Sequence, residues 1–464
     1  MILRLKLVIH YYNFYNRSSG REEYKMKLTK QEISWILYDV GNSAFTMILT
    51  ASIPLFFRGL AESAGVISVC SNQIVQWLFS ANAAKALVGD AQAFEAILSS
   101  LFAITTTVAV IIVAILAPIV GAIADYKGMK KKLFSVALFI GIGGLLSLGV
   151  TEDWMAFLVL IIIARVGYSS CNIFYDSMLV DVTTDERMDN VSSLGYAWGY
   201  IGSCIPFTLG IVLIMFPNSF GLTTGQATQI SFILTAIWWL VMTIPLLKNV
   251  KQTHYLEKGD GLSVGKVFGR IFETFGKIRK NKKMLFYIIA YFCYIDGVYT
   301  IISMATTYGA EVGIENELLI LALLVTQFVA FPAAIVTGSL AKKVGPLKII
   351  RYFIFLYIGI CIFGFQLDQA WEFWVLAISV GLAQGGIQSL SRSYFGKIIP
   401  KNESNEYFGF FDIFGKFADF MGPLFLAASA TMFGSSRYGI LALIILFVIG
   451  LILILKVERM EKES

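Results

Sequence analysis

The sequence predicts an all-α membrane protein with twelve transmembrane helices in two pseudo-symmetric six-helix halves. Three observations predict it: apolar runs of spanning length, a one-sided placement of basic residues, and a loop pattern that occurs twice. Of the 464 residues 57% are hydrophobic and 15% charged, with a mean hydropathy of +0.72. No water-soluble globular class has this composition. Apolar runs, each long enough for one crossing, recur at roughly 34–57, 95–120, 133–151, 154–178, 192–216, 229–248, 284–308, 315–337, 349–367, 371–393, 406–430 and 436–456.

The basic residues give the orientation. Arg58, Lys85 and Arg437 fall in loops on one side, Arg165, Arg392 and Lys416 lie within apolar runs, and the rest of the 37 Lys and Arg share the side of both termini. Basic residues collect on the cytoplasmic side, so both termini are expected there. The net charge of +6 then follows from topology and needs no nucleic-acid partner.

The repeated loop first occurs as Gly121-Ala-Ile-Ala-Asp125-Tyr-Lys-Gly128-Met-Lys130-Lys-Lys132, between the second and third spans. Its glycines permit a sharp turn and a close helix approach. Its lysines are expected in water on the cytoplasmic side. Gly121, Asp125, Gly128 and Lys130 form a candidate gate, in which Asp125 holds a neighbouring helix end or a lysine. The other reading is a charged turn that only fixes topology. The pattern returns as Gly338-Ser-Leu-Ala-Lys342-Lys-Val-Gly345. Gly121 and Gly338 are as far apart as Gly128 and Gly345, and as Pro206 and Pro423, which marks an internal duplication. Lys342 stands where Asp125 does, so an ionic latch is expected in the first half.

The expected organisation is a tail (1–33), a first half (34–248), a cytoplasmic linker (249–283), a second half (284–456) and a tail (457–464). In residues 1–25, Leu5–Ile9 is too short for a signal-peptide core. Met26 is a natural start, so 1–25 reads as an upstream extension. Asp39 and Asp296, which sit in similar motifs of spans one and seven, are farther apart than the repeat by about the length of 58–94. That segment is expected to be an outer-loop insertion with a short apolar piece, Ile74–Phe79, serving as a lid or as decoration. The linker, rich in Lys and Arg, is expected to be amphipathic and to lie against the headgroups.

Span one carries Asp39 and Asn42, with Asp39 about 13 Å along the helix from Lys30. Span four carries Arg165, about 16 Å from Trp154, then Asn172, Tyr175 and Asp176. Ionisable groups at this depth face a cavity or a partner. Arg165 can fork onto a carboxylate or phosphate, or tether the halves through Asp296 or Asp39. Asp181, Asp185, Glu186 and Asp189 are expected in a solvated turn. In span five, the small residues of Ser192–Gly202 suit close packing, and its aromatics equally suit a lined path. Gln327 lies inside span eight. Gln384, Gln388 and Ser391 of span ten share a face, and Arg392 near its end can snorkel. Asp412, Lys416 and Asp419 share a face of span eleven, either as a self-neutralised triad or as a proton site.

Cys171, Cys204, Cys293 and Cys361 fall in spans and Cys70 in the outer loop, without disulfide or metal spacing. No metal or cofactor is expected. His10 and His254 lie outside the spans, which excludes a histidine relay in the membrane. No Gly-x-x-x-x-Gly-Lys-Ser/Thr loop occurs, and no enzymatic constellation.

The repeated loop resembles the signature of the major facilitator superfamily. Trp35…Tyr38-Asp39…Asn42-Ser-Ala-Phe45, Ser193-Leu-Gly-Tyr196…Gly199-Tyr200…Gly202, Tyr294-Ile-Asp-Gly297, Gly386-Ile-Gln-Ser-Leu-Ser-Arg-Ser393 and Phe408-Gly-Phe-Phe411 together resemble its vacuole-effluxer-like branch, over all twelve spans. The resemblance implies the major facilitator fold, a monomeric transporter, and amino-acid efflux as the activity of fungal members. The expected function is thus gradient-driven secondary transport of a small polar solute by alternating access, in a bacterial cell membrane. Arg165, Asn42, Asn172 and Gln388 are the candidate substrate contacts, and Asp39 and Asp296 the candidate proton or cation sites. A cation-coupled sugar symporter and a non-transporting sensor or scaffold are the alternatives.

Overall fold

The computed structural model describes residues 27–257, 264–311, 313–416, 429 and 437–463. The first half contains α1 (Lys30–Ala51), α2 (Ile53–Ala64), α3 (Val66–Cys70), α4 (Gln73–Leu87), α5 (Ala91–Ala124), α6 (Met129–Leu148), α7 (Trp154–Ser177), α8 (Leu179–Val182), α9 (Asp185–Met215) and α10 (Thr224–Asn249). The linker holds α11 (Val264–Lys280). The second half contains α12 (Lys282–Glu311), α13 (Asn316–Val344), α14 (Pro346–Phe365), α15 (Ala370–Ile398), α16 (404–416) and α17 (Arg437–Glu463).

Side-chain caps set several helix starts. Thr29 Oγ1 accepts from Glu32 N while Glu32 Oε2 accepts from Thr29 N, a reciprocal pair that satisfies two free donors. Asp90 and Asp153 accept from Ala93 N and Ala156 N. Among the described residues ten helices are long and apolar enough to cross a membrane, or eleven when α1 and α2, bent by 44°, count together. The crossing expected at 406–430 begins as α16. Residues 417–428, with Asp419 and Pro423, lie outside the described residues, as do 1–26 and the upstream extension expected there.

Each half has its own apolar core, around Trp35, Phe134 and Trp239 in the first and Tyr287, Tyr357 and Phe447 in the second. In the first half α1 packs between α9 and α10, and α6 on α7; in the second α17 packs on α12 and α14. The halves meet where α9 lies along α13 and α15. Helix α1 starts and α17 ends at one face of the molecule, here the terminal face, where Arg187 holds Glu32 and Tyr394 holds Glu461.

Two segments differ from expectation. Residues 58–94 are mainly helical, because Asn72 and Asp90 cap α4 and α5 and keep alanine-rich stretches wound. The acidic stretch after α7 is solvated only in part, at the exposed Asp185 and Glu186. Asp181 and Asp189 are buried, and Asp181, Asp185 and Asp189 pair with Lys130, Lys401 and Lys397.

Candidate transport cavity

A cavity of ≈ 990 Å³ lies between the halves. Its wall runs from Asp39, Asp176 and Arg392 deep inside to Pro54, Leu55 and Arg58 at the end away from the terminal face. Arg165 and Lys416 face it, and so does Asp412, 4.0 Å from Lys416. Both charge signs therefore line one chamber.

Of the residues singled out from sequence, Asp39, Asn42, Arg165, Asn172 and Gln388 all line this cavity. Asn42 Nδ2 donates to Asn172 Oδ1 at 2.8 Å, and Tyr38 Oη donates to Asn42 Oδ1 at 3.2 Å. Tyr200 Oη donates to Gln388 Oε1 at 3.3 Å. Asp39 accepts from Tyr175 Oη at 3.1 Å. Asp296 is buried within the second half and is not among the lining residues.

The most constrained cation of the site is Arg392 on α15, 3% exposed. Its Nη1 donates to Asp176 Oδ1 at 2.9 Å, its Nε to Ser192 Oγ at 3.0 Å and its Nη2 to Ser192 O at 3.0 Å. Asp39 Oδ2 is 3.9 Å away. The guanidinium lies 4.4 Å from the ring of Tyr196, 4.7 Å from Trp35 and 5.3 Å from Tyr175. All these partners belong to the first half, so this one side chain ties α15 to α1, α7 and α9. It does not snorkel, because the carboxylate of Asp176 at the cavity wall and three rings hold it inside.

Between the cavity and the terminal face the halves are pinned together. Asp125 Oδ1 accepts from Asn405 N at 2.9 Å and Asn405 Nδ2 at 2.8 Å, and Oδ2 from Glu406 N at 3.2 Å. The acid thus caps the N-terminus of α16, where free N–H groups and the helix dipole favour negative charge. Burial pushes its carboxyl up to about 7, against the pull of Asn405 and Lys130. A Cβ on Gly121 would stand 2.6 Å from Asn405 O, so only glycine lets α5 come this close to α16. Gly128 turns the loop at φ 74°.

Lys130 was expected in water and is 1% exposed instead. Its Nζ sits 2.6 Å from Asp181 Oδ2 and donates to Ser177 O and, across the halves, to Ser404 Oγ. Lys397 with Asp189 and Lys401 with Asp185 also cross between halves. The linker adds a strap: Lys127 N donates to Leu256 O and Leu256 N to Asp125 O.

Sequence reasoning missed the joint role of Arg392 and Asp176. The signal was the acid at the end of span four paired with an arginine at the equivalent depth of span ten.

Comparison with known proteins agrees with this architecture. The family model described as "Vacuole effluxer Atg22 like" matches residues 28–187 and 180–463. The chain is 39% identical over 433 residues to the "Uncharacterized MFS-type transporter YxiO" of Bacillus subtilis (strain 168), covering 92% of this chain and 95% of that one. It is 25% identical to Autophagy-related protein 22 of Vanderwaltozyma polyspora, covering 95% and 94%. Among solved structures, the human organic anion transporter MFSD10 (TETRAN) aligns with a TM-score of 0.67 at 13% identity, over 92% of this chain and 100% of that one. FucP in the outward conformation aligns with 0.63 at 13% identity, over 92% and 97%. At these identities the structures speak for the fold alone. With its apolar helices, paired halves and a family match along nearly its whole length, the chain belongs to the vacuole-effluxer Atg22-like family and is a multi-pass membrane transporter of the major facilitator superfamily.

Proposed function

We propose that the protein exports small zwitterionic solutes, amino acids first among them, by gradient-driven alternating access. The observation that supports this reading is that both charge signs line one cavity, with Asp39 and Arg165 from the first half and Asp412 and Lys416 from the second. A zwitterion presents a carboxylate and an ammonium group a few ångströms apart, and such a chamber can hold both. Arg165 anchors the carboxylate with a planar fork of donors, and Asn42, Asn172 and Gln388 complete the polar contacts. Asp39, hydrogen-bonded to Tyr175 and near Arg392, carries the coupling proton or cation. Asp296 belongs to a second coupling site, away from the cavity.

The basic asymmetry puts the terminal face in the cytoplasm, so the described conformation faces outward. Asp125, Lys130, Arg392 and the acid–lysine pairs then close the inner gate. When the halves rock, these contacts break and the cavity opens inward.

Thermal unfolding of the purified protein against amino acids, sugars and organic acids tests this. A ligand at about 100 times its Kd that binds only the folded state stabilises by about 2.7 kcal/mol. Stabilisation by amino acids that disappears in Arg165→Met is the expected result. Stabilisation by sugars that survives the substitution overturns both the substrate class and the anchor, and moves the site to Asp39 and Asn42.

A further inference from the structure

Helix α11 ends at Lys280 and α12 enters its span from Lys282, so α11 stands at the level where the membrane begins. At 3.6 residues per turn its side chains divide into three arcs. Val267, Thr274 and Ile278 are buried on the protein side, where α11 packs on α5 and α12. Glu273 and Lys277 pair on the far, charged arc. Phe268, Phe272 and Phe275 form a third arc, opposite the charges and exposed, Phe272 by 74%. Three phenylalanines on one helix face are an unfavourable surface to leave in water. Arg279 projects from the same arc and Lys280 follows it, both exposed. An apolar stripe flanked by cations is the pattern of a helix lying in the headgroup layer, and those cations complement anionic headgroups.

The same helix grips the gate. Arg270 Nη1 donates to Ala122 O at 3.0 Å, its Nη2 lies 2.6 Å from Glu406 Oε2 and 3.6 Å from Asp125 Oδ2, and its guanidinium stands over the Tyr126 ring. Lys277 reaches Glu403 at 3.2 Å. One side chain of α11 therefore touches both the loop after α5 and the start of α16.

We propose that α11 docks through its phenylalanine stripe and flanking cations on anionic phospholipid, and that this docking holds the gate shut through Arg270. The position of α11 sets the position of Arg270, and Arg270 bridges the two halves of the gate. Membranes rich in anionic lipid then favour the closed terminal face, whatever the substrate is.

The full chain is reconstituted in nanodiscs of phosphatidylcholine, or of phosphatidylcholine mixed with phosphatidylglycerol. The native cysteines are all buried, so a nitroxide at Phe272→Cys reports depth. Relaxation by oxygen over a water-soluble nickel chelate is expected. Preferential relaxation by the chelate overturns the docking and points to a protein partner for the stripe. Gate closure is read as the spin–spin distance between labels at Lys132→Cys and Lys348→Cys. The closed-to-open ratio is expected to rise on the order of tenfold with phosphatidylglycerol, from roughly fivefold per cation near the surface. Arg279→Gln with Lys280→Gln removes that response and leaves the phosphatidylcholine distances unchanged. A full lipid response in the double variant, or none in the parent, overturns the coupling.

Discussion

Replacing Arg392 with methionine tests whether this residue locks the halves or binds the solute. The substitution leaves Asp176 without the donor at 2.9 Å and Ser192 without two donors. Removing one partner of a buried ion pair costs about 3–5 kcal/mol. Asp176 keeps a quarter of its side chain, 26%, in contact with the cavity, so the cost falls below that range, to about 2 kcal/mol. The stacking on Tyr196, Trp35 and Tyr175 adds about 1 kcal/mol. Every one of these partners lies in the other half, so the loss of about 3 kcal/mol falls on the closed state and shifts the closed-to-open ratio by more than about 100-fold. Spin labels at positions 132 and 348 read this directly, as a long-distance population that is minor in the parent and dominant in Arg392→Met. Arg392→Lys keeps the charge but loses the fork to Ser192, and falls between the two. An unchanged distance distribution, with solute affinity lost instead, would refute the lock and make Arg392 a substrate contact.

Asp125 makes gate closure pH-dependent: its carboxyl is near 7 when buried and about 3.9 when solvated, so closing takes up a proton between these values. The contribution is fully present below about pH 4 and is lost as pH rises through 7, and the closed-to-open ratio falls about tenfold from about pH 6 to about pH 8. In Asp125→Asn the same distance measurement gives a flat profile. Lys130→Met lowers thermal stability by about 3 kcal/mol, at the low end because Asp181 keeps the N–H groups of Thr253 and His254; an unchanged melting temperature contradicts a structural pair. Gly121→Ala forces a methyl against Asn405 O and costs about 1–3 kcal/mol, expressed as an open terminal face in cysteine-accessibility labelling.

Much of this was legible from residue order. Spanning runs, the duplicated loop and the acid at Asp125 need only hydropathy and spacing. Depth along a helix was legible too, which is why Asp39, Asn42, Arg165 and Asn172 turn up on one cavity wall. Rotation and partner were not. Arg392 lies close to the end of its helix, and nothing local says that Trp35, Tyr175 and Tyr196, from three other helices, close around it. Lys130 sits in a run of lysines that hydropathy assigns to water, and only the fold brings Asp181, Ser177 and Ser404 to it. Asp296 shows the converse: a motif like that of Asp39, yet buried within the second half and absent from the cavity lining. The segment 58–94 has no apolar run of spanning length, since Gly65 and Gly89 break it into short pieces, and its caps, Asn72 and Asp90, are single residues easily read as loop.

The acid–base pairs that cross between the halves have a common polarity. In Asp189–Lys397, Asp185–Lys401 and Asp176–Arg392 the acid belongs to the first half and the base to the second. Asp125 follows the rule, since its partner is the positive pole of a second-half helix. The two surfaces therefore attract before they touch, over about 8 Å at physiological ionic strength, and each would repel a copy of itself. Closing the terminal face should resemble the steered docking of two oppositely charged proteins, fast in dilute salt and slowing as salt rises. Reopening depends on short-range bonds and should respond to salt far less.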